Sequence, residues 1–132
     1  MIAVDTNVLV RILIDDDGAI HQVKTARQFA KKHKKLFIPQ LVQVELVWVL
    51  SSAYELEKSE IVPILLHLYE NNAFILQRAK QFEDALYLYQ TFNADFSDCL
   101  IQAESIDAGY EIATFDKKFA KLSQVKLLMI EN

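Results

Sequence analysis

At 132 residues, 52% of them apolar, the chain can bury one substantial core and falls in the size range of a single domain. A net charge of −4 argues against binding nucleic acid through an overall basic field, and a lone cysteine, Cys99, excludes an internal disulfide and fits a reducing compartment. No basic stretch followed by a long apolar one opens the sequence, and its apolar runs stop short of the ~20 residues of a membrane helix, so one soluble, cytoplasmic domain over residues 1–132 is expected.

Ile2 to Val4 is a short apolar run closed by Asp5-Thr6-Asn7, the pattern of a buried strand turning straight into a helix. Val8, Leu9, Ile12 and Leu13 give that helix its apolar face, and Asp15-Asp16-Asp17-Gly18 closes it as a polar loop. Ala19 to Lys32 is the next helix, with Ile20, Val23, Ala26 and Ala30 facing inward. The lysines at its end, Lys31, Lys32, Lys34 and Lys35, with Lys24 and Arg27 upstream, read either as a local basic patch or as a solvated helix C-terminus. Leu36 to Ile38 is a second strand, stopped by Pro39. Gln40 to Tyr54 is helical and nearly apolar all round, which predicts a central position.

A further helix covers Lys58 to Tyr69, with Ser59 as its cap and Pro63 near enough to the start to be tolerated. Ala73 to Leu76 is a third strand and Phe82 to Thr91 a helix. Asp95 to Asp107 is a helix with Leu100, Ile101 and Ala103 on its apolar face, ended by Gly109. Tyr110 to Thr114 forms a fourth strand, Lys117 to Leu122 a helical turn, and Val125 to Ile130 a last strand. Strands alternating with helices predict an α/β layered fold with a mostly parallel sheet, whose ligands bind beyond the carboxyl ends of the strands.

Those ends carry Asp5 after the first strand and Asp116 after the fourth. Glu45 lies on the most apolar helix, among Val42, Val44, Leu46, Val47 and Trp48, where a buried carboxylate needs a partner or a cation. Asp98 lies near the start of its helix, three residues after Asp95. Each aspartate also has a plain structural role open to it: Asp5 and Thr6 as a helix cap, Asp95 and Asp98 as a capping box, Asp116 as a turn residue. Converging, Asp5, Glu45, Asp98 and Asp116 would repel one another unless a cation compensated them, and hard oxygen ligands select Mg²⁺ or Mn²⁺. Such a site suits phosphodiester hydrolysis by metal-activated water, with a second ion, if present, ~4 Å away on the leaving oxygen.

Asp5-Thr6-Asn7-Val8-Leu9-Val10-Arg11, Gln43-Val44-Glu45, Asp95-Phe96-Ser97-Asp98-Cys99-Leu100-Ile101 and Ile112-Ala113-Thr114-Phe115-Asp116, in that order and spacing, resemble the PIN-domain family, and within it the VapC type of toxin. The resemblance covers nearly the whole chain. It implies a three-layer domain on a five-stranded sheet of order 3-2-1-4-5 and a Mg²⁺- or Mn²⁺-dependent endoribonuclease acting on RNA. It implies too a cognate antitoxin protein and, commonly, a homodimer. By this match Asp5, Glu45, Asp98 and Asp116 are the metal-binding quartet, Thr114 supports the site by a hydrogen bond, Asn7 orders the loop below Asp5, and Asp95 matches a commonly acidic position.

Two other classes fit less well. A phosphoacceptor receiver is an α/β domain of this size, but it needs a lysine at the end of its last strand, where Ile130-Glu131 stand. A noncatalytic domain with an acidic groove would take a basic peptide instead. Gly18 and Gly109 are too few for phosphate loops, and His21, His33 and His67 lack zinc spacing.

Overall fold

The computed structural model describes residues 1–131. In order they form β1 (Ile2–Ala3), α1 (Thr6–Leu13), a 3-10 turn (Asp17–Ala19), α2 (Ile20–His33), β2 (Leu36–Ile38), α3 (Gln40–Ser52), α4 (Lys58–Glu70), β3 (Phe74–Leu76), α5 (Ala79–Thr91), α6 (Phe96–Asp107), β4 (Ile112–Thr114), a second 3-10 turn (Phe119–Lys121) and β5 (Val125–Leu127). The α/β class follows from this order. The chain divides into two compact units, Met1–Ala79 and the segment from Lys80 onwards.

In the first unit β1, β2 and β3 form a parallel sheet in that spatial order, with Ile2 opposite Leu36 and Leu36 opposite Phe74. The Val4 N–H continues the first ladder to the Phe37 carbonyl at 3.2 Å. Leu36 and Ile38 are buried, as are Leu46 and Leu50 of α3 and Ile61, Leu65 and Leu68 of α4. Each such side chain contributes about 1.5–3 kcal/mol, more than capping or propensity supplies, so these apolar faces hold the helices in place. That explains how α4 accommodates Pro63. The helix begins at Lys58 as expected, but its cap lies two residues before Ser59, so Pro63 falls beyond the first turn, where it deprives the Ser59 carbonyl of a donor. Ser59 is not the cap; Glu57 is, and its N–H donates to Glu60 Oε1 at 3.0 Å.

In the second unit β4 and β5 pair in parallel, Ile112 opposite Val125 and Thr114 opposite Leu127. Phe82, Tyr89 and Phe96 pack ring against ring, with centroids 5.7 Å apart from Phe82 to Phe96 and 5.7 Å from Tyr89 to Phe96. At the end of α6 the Tyr110 N–H reaches the Ser105 carbonyl and the Gly109 N–H that of Ile106, each at 2.9 Å. Gly109, at φ +85°, supplies the left-handed residue this stop requires.

Several expectations need correcting. The ladders form a three-stranded and a two-stranded sheet in place of one five-stranded sheet; the neighbour relations 3-2-1 and 4-5 hold within them. β1 extends over only two residues, and its ladder runs to β2. The last strand stops at Leu127, leaving Met129 and Ile130 exposed, and Tyr110 belongs to the helix stop and not to β4. Ile20 and Ile101, assigned to inward faces, are 61% and 45% exposed. Among the described residues no helix is long and apolar enough to cross a membrane.

Candidate active site

Asp5 ends the first strand and caps α1: from an extended backbone at φ −86° its Oδ1 accepts the Val8 N–H at 3.0 Å. The plain structural role is therefore filled, and its negative charge sits favourably at the helix N-terminus. The next residue does something that capping does not need. Thr6 Oγ1 donates to Glu45 Oε1 at 2.9 Å, joining residues 39 apart in sequence and bringing Glu45 to the start of α1. Glu45 is exposed, against the expectation of a buried carboxylate. The apolar composition of α3 concealed a two-sided helix: Val42, Gln43, Leu46, Val47 and Leu50 are buried, whereas Leu41, Glu45, Trp48 and Ser52 share the outward stripe. Asn7, in the first turn of α1, lines with Asp5 an open groove of about 740 Å³ between α1 and α2.

In the second unit Asp95 stands at the N-cap of α6 without a side-chain hydrogen bond to the helix, so the capping box suggested by Asp95 and Asp98 does not form through it. Asp98, a turn inside, is half-buried. Burial above all, then the charges of Asp95 and Asp116, raise its carboxyl above the ordinary carboxylate range. Asp116 follows β4, where its Oδ1 accepts the Lys118 N–H at 2.8 Å and its own N–H donates to Thr114 Oγ1 at 3.0 Å. Thr114 thus fixes the backbone of Asp116, and it does so as an acceptor.

Among the described residues no three or more Asp, Glu, His or Cys side chains stand close enough to hold an ion. The donor chemistry nonetheless suits a hard dication. The candidate ligands are all carboxylates, and the repulsion felt at Asp98 is what such a charge relieves. The cation would suit Mg²⁺ or Mn²⁺ better than zinc, given the absence of sulfur and imidazole from the set.

A family model described as the PIN domain matches residues 2–125. The chain belongs to the PIN-domain family. It is also 30% identical over 123 residues to a VapC ribonuclease of Aquifex aeolicus (strain VF5), a match spanning 89% of each chain.

Two features of this PIN domain were not legible beforehand. Gln43, on an apolar helix, is fully buried, and its Nε2 donates to the carbonyls of Ile38 at 3.1 Å and Gln77 at 2.9 Å, which ties α3 to the ends of β2 and β3. Arg11 donates from Nη1 to Tyr54 Oη at 2.8 Å and Asp16 Oδ2 at 3.2 Å, while Tyr54 donates to Asp16 at 2.7 Å. This triangle locks α1 to the loop that follows it and to the chain beyond α3. The Tyr54 hydrogen bond, with the Gly18 amide and the Arg11 charge, lowers the Asp16 carboxyl below its ordinary range despite partial desolvation. The residues concerned lie 5 and 38 positions from Asp16, a separation that no local pattern announces.

Proposed function

We propose that this chain is a metal-dependent endoribonuclease, the toxin of a toxin–antitoxin pair, with Asp5, Glu45, Asp98 and Asp116 as ligands of Mg²⁺ or Mn²⁺. The observation that carries it is similarity to a ribonuclease along 89% of the chain. Four carboxylates are the ligand type that this activity calls for. A dication held by these residues would lower the pKa of a water for in-line attack on a phosphodiester and would shield the charge of the substrate.

The chain's own groups prepare for this. The Val8 amide orients Asp5, and the Thr6 hydroxyl holds one oxygen of Glu45, which limits the rotamers that a ligand must otherwise freeze out. The Lys118 amide holds the Asp116 carboxylate in the same manner, and Thr114 fixes the Asp116 backbone by accepting its N–H. Asp98, its carboxyl raised by burial and by its acidic neighbours, takes up a proton more readily than a solvated aspartate and would serve as a ligand with a positive charge beside it. Asp95 adds negative charge beside it, and Asn7 borders the groove at Asp5. As a toxin the protein works in the cytoplasm, pairs with a second copy and is held silent by a cognate antitoxin protein.

Purified protein freed of any copurifying partner should cut RNA in Mg²⁺ or Mn²⁺ and stop in chelator, and Glu45→Gln should remove the cutting while leaving the fold intact. Cleavage that continues in chelator, or that survives Glu45→Gln, contradicts the proposal.

A further inference from the structure

The outward stripe of α3 presents Trp48 68% and Leu41 70% exposed, with Glu45 between them. Helical rise places the Trp48 backbone only about 4.5 Å along the axis from that of Glu45, one turn beyond it. An exposed tryptophan beside a candidate ligand, on a rigid helix, calls for an explanation. We infer that Trp48 is a stacking platform for a base of single-stranded RNA, positioning the strand at Glu45. This deepens the nuclease reading and rests on it.

The stripe itself favours RNA over a protein partner. Its apolar surface is broken in the middle by the Glu45 carboxylate, which a packed protein face would have to desolvate. Past Trp48 the stripe turns polar, with the Ser51 and Ser52 hydroxyls bonded back to the Trp48 carbonyl at 3.1 and 2.7 Å. At its other end Arg78 is exposed, and its Nη1 donates to Gln40 Oε1 at 3.0 Å, which sets a guanidinium beside the first turn of α3. Arg78 is held there at φ +51°, in the left-handed region that side chains rarely adopt. Carboxylate and flat ring thus follow one another a turn apart on one stripe, while Gln40, which holds the guanidinium, lies off that stripe at the helix start. A nucleic-acid strand offers the phosphate to be cut and a neighbouring base side by side in this way.

With a net charge of −4 the chain gains little from a general field, so affinity has to come from local contacts of this kind. Stacking on a side chain needs a base that is not already enclosed in a helix, and this selects single strands over duplex RNA.

Trp48 is the chain's one tryptophan, so its emission reports the contact directly. In chelator, where cutting stops, a short single-stranded RNA should quench that emission, and the same RNA annealed to its complement should not. In Mg²⁺, Trp48→Ala should raise KM for the single strand by about five- to a hundredfold with kcat nearly unchanged, and Trp48→Phe should restore most of the affinity. Arg78→Gln should raise KM and flatten its salt dependence. Absence of quenching with KM unchanged in Trp48→Ala overturns the inference while cleavage leaves the nuclease reading standing. Quenching by single-stranded RNA without any cleavage does the reverse. A Trp48→Ala protein that changes from dimer to monomer with KM unchanged assigns the stripe to a second copy and also overturns the inference.

Discussion

Asp5 is both a helix cap and a proposed metal ligand, and the two roles separate under substitution. Asparagine caps about as well as aspartate, so Asp5→Asn keeps an acceptor for the Val8 N–H now received at 3.0 Å. What it loses structurally is the favourable interaction of a charge with the helix dipole, about 0.3–1 kcal/mol. Asp5→Ala loses the acceptor as well, for about 0.5–2 kcal/mol from capping. At roughly 2–8 °C of melting temperature per kcal/mol for domains near this size, the alanine variant should melt clearly below the asparagine variant.

Activity should not follow that order. Both substitutions remove a charged ligand, and both should lower kcat/KM by more than the about 10- to 100-fold typical of groups that only support a metal ligand. Urea unfolding gives the stability of each variant, and single-turnover cleavage of RNA in Mg²⁺ gives the rate. If Asp5→Asn cuts at near the wild-type rate, or if the losses of rate track the losses of stability, Asp5 is a cap and nothing more.

Thr6→Val keeps the volume but removes the donor to Glu45 Oε1; kcat should fall about tenfold, a loss of about 1.4 kcal/mol, with the urea midpoint nearly unchanged, as steady-state cleavage and denaturation together will show. Tyr54→Phe should destabilise the fold most at intermediate pH. The Asp16 carboxyl is lowered, so its contribution is present above the ordinary value of 3.8 and disappears as pH falls through the lowered folded value. The Tyr54 hydroxyl is raised by burial and by its hydrogen bond to Asp16, so its contribution is present below 10.0 and disappears as pH rises through the raised folded value. Urea midpoints of wild type and variant should therefore approach each other at both extremes. Gly109→Ala meets no neighbour within 4 Å, so its effect isolates the backbone at φ +85°, and a loss of about 1–2 kcal/mol in urea unfolding is expected.

The parts of the fold that local pattern determines were readable. Three-residue apolar runs at Leu36 and Phe74 became strands, and Gly109 stopped α6 by the left-handed turn its lack of a Cβ permits. What failed were inferences about which side of an element is covered. In α3, apolar residues occupy the outward stripe as well as the inward one, so composition implied a central helix and a buried Glu45, whereas Leu41 and Trp48 are exposed along with it. The same blindness to the opposite surface misplaced Ile20 and Ile101. Asp5, Asp98 and Asp116 were proposed from their positions after strands and near a helix start, and Glu45 from the apolar helix that carries it. The long-range contacts were not legible, because Thr6 meets Glu45 and Arg11 meets Tyr54 across 39 and 43 residues.

Manganese offers the most direct probe of the proposed quartet, because the bound ion can be counted by paramagnetic resonance apart from any turnover. Wild-type protein should bind Mn²⁺, and Asp5→Asn, Glu45→Gln, Asp98→Asn and Asp116→Asn should each weaken that binding together with RNA cleavage. A protein that cuts RNA without binding Mn²⁺ or Mg²⁺, or four variants that bind the ion as the wild type does, would contradict it.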